Sequence, residues 1–365
     1  MYEGLQLAPG PFGFFVPTDM VFPMTAQSRP AKAMILGCLG QRLSADEKAF
    51  YRDEQPWGFI LFARNIGEAE QVKDLVAEMR ETVGGGAEVP VLIDQEGGRV
   101  QRIREPIAPR YPSGADLGAL YDRDAEKGLR AAWLMSRLHA FDLYRLGINV
   151  DCLPVLDVPI EGASNVIGNR AYSNDPYVVA KMGQAAADGL KAGGVLPVMK
   201  HMPGHGRGMA DSHHELPVVT VPRAELEAHD FVPFKALAQE LMGMSCHVVY
   251  TDIDPDHPAS TSRIVTEEIV RKAIGFEGLL MSDDISMNAL EGTIGERAVR
   301  IAATLDVVLH CHGHMDEMKA VAVAVSQLSG RARERADAVE AAFAGPHASD
   351  EQALRDEFAN LVAVA

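Results

Sequence analysis

The chain of 365 residues is 47% hydrophobic and 23% charged, which is typical of a soluble globular protein. Its net charge of −17 argues against a nucleic acid or an anionic membrane surface as a partner. No apolar run approaches the roughly 20 residues that a membrane-spanning helix needs. The cysteines lie far apart in or beside apolar runs, so we expect small core residues in a reducing compartment and no disulfide framework. They are Cys38, Cys152, Cys246 and Cys311.

The first residues do not read as a signal peptide. Residues 1–23 are apolar, but they contain Glu3 and Asp19 and lack a basic segment at the start. We therefore expect a cytoplasmic protein. We also expect an N-terminal extension over residues 1–30, whose structure the sequence leaves open, and a single domain over residues 31–365.

Short apolar runs bounded by turn residues predict eight strands, each apolar throughout, as in sheets that are covered on both faces. In chain order they are residues 33–39, 58–62, 90–93, 148–152, 195–199, 242–246, 278–281 and 307–309. Helices are predicted between them: one after the capping-box sequence at residues 44–47, then residues 68–82, 125–146, 177–192, 223–240, 266–274 and 294–303. Two further helices, residues 331–344 and 349–364, follow the last strand.

Alternation of eight strands with helices predicts an α/β protein, a single (β/α)8 barrel of the TIM type with extra helices at its C-terminal end. An open, doubly wound sheet is the alternative. Against it, no GxGxxG sequence follows the first strand, where such a fold would bind a dinucleotide, and the chain has no P-loop sequence.

Polar residues follow nearly every predicted strand, at the end where barrel enzymes place their chemistry. They are Arg64, Asp94, Arg99, Arg102, Asp157, Lys200, His201, His247, Asp283, Asp284 and His310. A single aspartate after a strand is more often a turn or helix cap than a catalyst. Seven such strand ends are harder to explain as caps, so we expect these side chains to surround one mouth of the barrel.

The stretch from Lys200 to His214 contains four of the chain's 12 histidines. Two interpretations of the polar residues are nearly equal on residue types alone. In the first, cationic donors and carboxylate acceptors bind a polyhydroxylated ligand; these are Lys200, Arg102, Arg170, Asp94, Asp211, Asp283 and Asp284. In the second, nitrogen and oxygen ligands bind zinc; these are Asp211, His213, His201, His205 and His247.

Four motifs carry a resemblance to a known family. They are Asp-Gln-Glu-Gly-Gly-Arg-Val-Gln-Arg at 94–102, Lys-His-Met-Pro-Gly-His-Gly at 200–206, Asp-Ser-His at 211–213 and Met-Ser-Asp-Asp-Ile-Ser-Met at 281–287. In this order they resemble family 3 glycoside hydrolases, and among these the bacterial β-N-acetylglucosaminidases of peptidoglycan recycling. The resemblance spans roughly residues 31–327. It favours sugar chemistry and implies a single (β/α)8 barrel, a retaining double displacement, no metal and no other cofactor.

The resemblance also implies roles for individual residues. Asp283 matches the catalytic nucleophile, and Asp211 and His213 match the acid/base pair. The residues that match those holding N-acetylglucosamine are Asp94, Arg102, Arg170, Lys200 and His201. Two departures are small: Met202 stands where phenylalanine is usual, and residues 168–172 vary the usual Gly-Glu-Arg-Ser-Tyr.

These roles agree with simple chemistry. A histidine is a sensible proton donor because its unperturbed pKa of about 6.5 is close to neutral pH, and Asp211 would orient the ring of His213. Glycines at 204, 206 and 208 would let the loop move. Alternation along the strand predicts that Asp283 and Asp284 do not both face the sugar, and that Asp284 points inward or caps the next helix. His247 is equally a pocket wall or a hydrogen-bonded structural residue.

The expected reaction is removal of terminal, non-reducing N-acetylglucosamine from muropeptides such as N-acetylglucosaminyl-anhydro-N-acetylmuramyl peptides (EC 3.2.1.52). The expected partner is this small carbohydrate, and the protein is expected to be a monomer or weak oligomer. Three alternatives remain: a family 3 glycosidase acting on another β-glycoside, a metal-dependent barrel hydrolase, and a non-catalytic sugar-binding protein.

Overall fold

The structure is a computed structural model that describes residues 29–209 and 215–363. The proposed N-terminal extension therefore lies almost entirely outside the described residues, and so do Asp211 and His213. The division of the chain into residues 1–30 and 31–365 stays a prediction. Among the described residues, no helix is both long and apolar enough to cross a membrane.

Parallel strands form the centre of the molecule. In chain order the strands are β1 (Lys32–Leu36), β2 (Pro56–Leu61), β3 (Val91–Ile93), β4 (Gln95–Gly97), β5 (Val100–Gln101), β6 (Val150–Asp151), β7 (Leu196–Pro197), β8 (Met199–Met202), β9 (Val218–Val219), β10 (Met242–Ser245), β11 (Val249–Tyr250), β12 (Leu279–Ser282) and β13 (Val308–His310). One sheet has the order β13-β1-β2-β3-β6-β7, and a second has the order β12-β10-β8. Each of the eight predicted strands overlaps a strand of these two sheets.

The two parallel sheets approach each other on both sides. On one side, β7 and β8 are separated only by Val198. On the other, Met281 of β12 forms a parallel bridge with Val307, which directly precedes β13. The α/β class is confirmed, whereas closure of the two sheets into one eight-stranded barrel stays a prediction.

Helices alternate with the strands. They are α1 (Ala45–Glu54), α2 (Ala69–Thr82), α3 (Gly114–Arg123), α4 (Ala125–Tyr144), α5 (Pro176–Ala192), α6 (Arg223–Ala228), α7 (Val232–Ala236), α8 (Ile294–Ala302), α9 (Met315–Ala324), α10 (Gly330–Ala342) and α11 (Glu351–Ala363). The predicted capping box is present at α1, where the Ser44 hydroxyl accepts from the Glu47 N–H and the Glu47 carboxylate accepts from the Ser44 N–H. The two C-terminal helices are also present.

Two helix predictions need correction, and two helices were missed. The single helix predicted over 223–240 is split into α6 and α7, because His229 has a non-helical backbone and Pro233, in the first turn of α7, has no N–H to donate. The segment Val265–Ile274 is a π-helix. Helices α3 and α9 were not predicted.

The core is divided by the strands. One large cluster fills the space between the strands and the helices, and a second cluster lies among the strands and extends to α10. The second cluster contains Ile35 and Leu92 from the larger sheet together with Met244 and Met281 from the smaller one. All four cysteines are buried and free, as the sequence predicts.

Candidate active site

A cavity of about 300 Å³ opens at the carboxyl ends of the strands. Its wall brings together every predicted site residue that lies in the described part of the chain. These are Asp94, Arg102, Arg170, Lys200, His201 and Asp283. Their placement agrees with the rule that parallel strands gather functional side chains at this end, and their individual roles stay predictions.

Lys200 lies at the centre of the polar wall. Its Nζ donates to Asp94 Oδ1 at 2.9 Å and lies 2.6 Å from Glu96 Oε1, and its side chain is only 2% exposed. Burial opposes the charge on Lys200, but the Asp94 and Glu96 carboxylates outweigh burial and raise its pKa above the usual range. Lys200 is therefore charged at neutral pH.

Asp94 joins Lys200 to Arg102. Its Oδ2 accepts from Arg102 Nη2 at 2.9 Å. Burial alone would raise the pKa of Asp94, but Lys200 and then Arg102 hold it far below its usual value. The carboxylate is thus ionised and fixed between two cations in the cavity wall.

Glu96 was missed as a site residue. Its carboxylate makes a bidentate pair with Arg170, at 2.8 Å from Nε and 2.7 Å from Nη2. Burial opposes ionisation, but Arg170 and Lys200 lower the pKa of Glu96 to about 2. A signal was available: Glu96 follows Asp94 by two residues, and this spacing places both side chains on the same face of an extended chain.

A bulge brings two neighbouring residues of β8 to the cavity. The ladder pairs Lys200 with Met244 and Met202 with Ser245, so that His201 is the extra residue between them. Regular alternation would send Lys200 and His201 to opposite faces, and a bulge removes this restriction. Both side chains line the cavity as a result.

Asp157 orients His201. Its Oδ2 lies 2.6 Å from His201 Nδ1, while its Oδ1 accepts from the backbone N–H groups of His201 and His205 at 3.2 and 2.6 Å. Burial would raise the pKa of Asp157, but His201 and the hydrogen bonds lower it to about 2. A charged, buried aspartate therefore fixes the ring of His201 from behind.

Asp283 directly follows β12 and faces the cavity. Its Oδ1 accepts from the Asp284 N–H at 2.7 Å, and its own N–H donates to Ser245 O at 3.0 Å. Burial would raise the pKa of Asp283, but His201, His247, the Asp284 N–H and Lys200 together hold it below its usual value. This side chain is an ionised carboxylate, the state that a nucleophile requires.

Asp284 departs from the expectation based on alternation, because it lines the same cavity as Asp283. The regular strand ends at Ser282, so a period of two no longer applies. The Asp284 carboxylate accepts from the Ser286 hydroxyl and N–H and from the Cys311 N–H. It caps the turn after β12 rather than a helix.

Four strand-end residues do not line the cavity, which corrects the expectation that all of them surround one mouth. Asp157 lies behind His201, as described above. Arg64 donates to the Cys38 and Cys311 carbonyl oxygens. His247 is bound at Nδ1 by the Ser260 hydroxyl and at Nε2 by the Asp284 carbonyl oxygen, so it is the hydrogen-bonded structural residue. His310 pairs with Glu317.

The loop that carries Asp211 and His213 lies outside the described residues, but its start is well defined. A Cβ at Gly206 would lie 2.0 Å from the Val158 carbonyl oxygen, so only glycine permits this close approach. Arg207 donates to Asp230 at 2.7 Å, and Gly208 O accepts from Ser164 N at 2.9 Å. The chain before residue 210 is thus anchored beside the cavity.

The zinc interpretation finds no support in the described histidines near the cavity. His201 is held by Asp157, and both ring nitrogens of His247 are already hydrogen-bonded. Within residues 29–209 and 215–363, no three of His201, His205, His247 and the nearby carboxylates offer ligand atoms to one ion.

Comparison with known proteins decides the family. Residues 30–342 match the N-terminal domain of glycosyl hydrolase family 3. The chain belongs to this family. A β-hexosaminidase of Xylella fastidiosa strain 9a5c is 39% identical over 300 residues, which cover 79% of this chain and 87% of that protein. A β-hexosaminidase of Neisseria meningitidis serogroup C is 38% identical over 295 residues, covering 79% of this chain and 80% of that protein.

A solved structure agrees with these relatives. NagZ from Neisseria gonorrhoeae in complex with N-trifluoroacetyl-D-glucosamine matches 92% of this chain and 98% of its own, with a TM-score of 0.82 and 33% identity. The predicted family and enzyme class, a family 3 glycoside hydrolase related to the β-hexosaminidases, are therefore confirmed.

Proposed function

We propose that this protein is a retaining exo-β-N-acetylglucosaminidase that removes terminal N-acetylglucosamine from muropeptides in the cytoplasm during cell-wall recycling. The observation that carries the proposal is the ionised Asp283 in a cavity that is also lined by a fixed network of charges. The β-hexosaminidase relatives support the sugar, and so does the N-acylated glucosamine bound to the related NagZ. We also propose that the protein is a monomer or weak oligomer, which sedimentation would test.

We infer that the two parallel sheets close into a single (β/α)8 barrel. The bridge between Met281 and Val307 and the near-continuity of β7 and β8 support closure. The shared apolar cluster among the strands supports it as well, because it contains side chains from both sheets. In a closed barrel, Asp283 and Lys200 project from strands of the same mouth.

The first chemical step uses Asp283 as the nucleophile. A retaining glycosidase forms a bond from a carboxylate oxygen to the anomeric carbon while the bond to the leaving oxygen breaks. His213 gives its proton to that leaving oxygen. In the second step, water attacks the anomeric carbon, His213 takes the proton of the water, and Asp283 is released as a carboxylate.

The acid/base pair is Asp211 and His213. An imidazole suits both steps because its pKa of about 6.5 lets it give and accept a proton near neutral pH. Asp211 would orient the ring and stabilise the imidazolium. The anchored residues Gly206 and Gly208 support this assignment, because they start the loop beside the cavity.

The charged network would bind the sugar hydroxyls. Asp94 supplies an acceptor, and Lys200, Arg102 and His201 supply donors on the same wall. Asp94 is already bonded to Lys200 and Arg102, and His201 is already held by Asp157, so these groups need little reorganisation when a sugar binds. A cavity of about 300 Å³ lies at the small end of ligand pockets, which favours recognition of one terminal sugar ring and exo action.

A comparison of substrates tests this function. We expect turnover of an aryl N-acetyl-β-glucosaminide, release of N-acetylglucosamine from a muropeptide, and little turnover of the matching aryl β-glucoside. Preference for the glucoside would instead indicate a family 3 glycosidase with another substrate. Loss of turnover on treatment with a chelator would indicate the metal-dependent alternative, and sugar binding without turnover would indicate a non-catalytic protein.

A further inference from the structure

A second group of histidines lies just beyond the cavity wall. The sequence His310-Cys311-His312-Gly313-His314 leads from the end of β13 into α9. Cys311 lines the cavity. The histidines on either side of Cys311 turn instead toward Glu317, in the first turn of α9. Nothing in the proposed hydrolysis uses this group.

Three imidazole rings converge on one carboxylate oxygen. Glu317 Oε2 lies 2.7 Å from His310 Nε2, 3.6 Å from His312 Nδ1 and 3.5 Å from His314 Nδ1. An acidic residue in the first turn of a helix is favoured by the helix dipole, and one histidine would satisfy it as a hydrogen-bond partner. Convergence of three rings is more than that ordinary role requires.

The backbone is shaped for this convergence. Gly313 has a φ of +75°, in the left-handed region that favours glycine. A Cβ at this position would lie 2.4 Å from the backbone carbon of Cys38. Glycine therefore allows the chain to reverse between His312 and His314, so that both rings face Glu317.

The distances suit a small divalent ion. Zinc binds imidazole nitrogen at about 2.0–2.1 Å and carboxylate oxygen at about 2.0–2.2 Å, so two ligand atoms of a tetrahedral site are about 3.4 Å apart. The separations of 3.5 and 3.6 Å from Glu317 to His314 and His312 already match this value. The hydrogen bond of 2.7 Å between His310 and Glu317 would open by less than about 1 Å.

We propose that His310, His312 and Glu317 form a binding site for a divalent transition metal ion such as Zn²⁺, and that His314 completes it as a fourth ligand by moving toward the other two rings. His310, His312 and Glu317 offer one ligand atom each, all within 4.8 Å of one another. Imidazole and carboxylate together are the ligands that zinc takes in proteins. The site is separate from the glycosidase reaction and does not depend on it.

The surroundings of the site define what the ion would hold in place. His312 Nε2 lies 3.2 Å from the Ser286 hydroxyl, which also bonds Asp284. The ion would therefore join the start of α9 to the turn that follows Asp283.

His310 Nδ1 has no hydrogen-bond partner, so this ligand lacks the outer contact that usually orients a metal-bound imidazole. We expect affinity about 10- to 100-fold weaker than that of a fully supported site.

Zinc binding to the full-length protein tests the site. Zinc chloride is titrated calorimetrically into the wild type, His312→Gln and Glu317→Gln, with excess N-acetylglucosamine present to occupy the cavity. The matched control is His257→Gln, because His257 is also exposed and its Nδ1 lies 3.3 Å from a carboxylate oxygen of Asp254. Circular dichroism without metal verifies that each variant is folded.

We expect the wild type and His257→Gln to bind one zinc ion more per chain than His312→Gln and Glu317→Gln. Zinc should also raise the melting temperature of the first two proteins by more than that of the other two. His314→Gln, in which the three central ligands remain, should weaken binding without removing it. An equal number of ions bound by all the proteins, including none, would overturn the proposal.

Discussion

The charge of Asp283 is set by its neighbours and not by exposure to water. Burial pushes its pKa up, whereas His201, His247, the Asp284 N–H and Lys200 push it down by more. A nucleophilic carboxylate must be ionised, and this arrangement keeps it ionised even in mildly acidic solution. The residues around Asp283 therefore keep its carboxylate in the state that the proposed attack needs before any substrate is bound.

The pH dependence of turnover follows from these charges. Because the pKa of Asp283 is lowered, kcat/KM should not decline on the acid side until the pH falls below about 4. On the alkaline side, kcat/KM for a muropeptide should decline above about pH 6.5, as His213 loses the proton that it must donate. The measurement is a pH profile of kcat/KM for the wild type and His213→Ala. An alkaline decline that persists in His213→Ala would show that another group donates the proton.

Two bidentate arginine–glutamate pairs give a matched test of the cavity wall. Arg170 pairs with the buried Glu96, and Arg130 pairs with Glu357 in the same way, but both partners of the second pair are 41% exposed. Lysine cannot reproduce a bidentate contact. Arg170→Lys should reduce kcat/KM at least about tenfold and lower the free energy of unfolding by about 1.5–3 kcal/mol.

Arg130→Lys should alter the free energy of unfolding by less than about 1 kcal/mol, because exposed pairs contribute little. It should leave kcat/KM unchanged. Steady-state kinetics and urea unfolding measure both quantities. Equal effects of the two substitutions would mean that the Arg170–Glu96 pair has no special part in the cavity.

Motifs at strand ends indicated several site residues but not Glu96, which lies in one of them, and they could not indicate the partners of these residues. Asp94, Lys200 and Asp283 were found because they stand in recognisable motifs at strand ends. The pairing of Glu96 with Arg170 depends on a contact between residues 74 positions apart, and no local pattern encodes it. The position of Asp284 beside Asp283 was predicted incorrectly, because the regular strand ends at Ser282, before both aspartates.

The loop after β8 depends on one close approach between backbones. Gly206 lies against the Val158 carbonyl oxygen, and a Cβ there would meet that oxygen at 2.0 Å. The sequence suggested that this glycine serves movement of the loop, whereas the structure gives it a packing role. The start of the loop is held in place, so any movement would have to occur beyond Gly208.

Gly206→Ala should therefore be damaging. Backbone atoms cannot move aside easily, so we expect the free energy of unfolding to fall by about 1–3 kcal/mol. We also expect kcat/KM to fall, because His205 and the segment that leads to His213 would shift. Gly345→Ala is the control, since a Cβ there meets nothing within 4 Å, and it should stay within about 0.5 kcal/mol of the wild type. A Gly206→Ala variant as stable and active as the control would refute the packing role.

Secondary structure was predicted most reliably where the apolar pattern is simple. All eight strands were found, because short apolar runs differ clearly from the helices around them. The split between α6 and α7 could have been predicted from Pro233. The π-helix Val265–Ile274 could not, since its apolar spacing resembles that of an α-helix. Helix α9 has no side-chain cap at His314 to mark its start.

The fold as a whole depends on ionised carboxylates inside it. Glu96 and Asp157 both have a pKa lowered to about 2 by their cationic partners, against a value of about 4 in the unfolded chain. A group with a lower pKa in the folded state stabilises the protein above its unfolded pKa. That contribution is lost as the pH falls through the folded pKa.

Stability should accordingly fall between about pH 4.5 and pH 2, as measured by urea unfolding over this range. Glu96→Gln should be less stable than the wild type at pH 7, because Lys200 and Arg170 lose a partner, but its stability should fall less steeply in acid. Glu78→Gln removes a carboxylate from the partly exposed Lys48–Glu78 pair. Its stability at pH 7 and the decline of its stability in acid should match those of the wild type. A wild-type stability that is flat below pH 4 would contradict this account.

The proposed closure of the two sheets into a barrel is the level of structure that the sequence predicts least directly. Alternation of eight strands and helices indicated the class, but which strands meet last depends on contacts such as the Met281–Val307 bridge. Local periodicity carries no information about such pairs. Periodicity predicts each strand separately, and the packing of all the strands together brings Asp283 and Lys200 to the same cavity.

The central claim is that Asp283 forms a covalent bond with the sugar. The direct measurement is peptide mass spectrometry after reaction with a slowly hydrolysed fluorinated N-acetylglucosaminide carrying an activated leaving group. We expect one glycosyl adduct per chain, located on Asp283 and absent from Asp283→Asn. An adduct on another residue, or turnover with inversion and no adduct, would contradict the account.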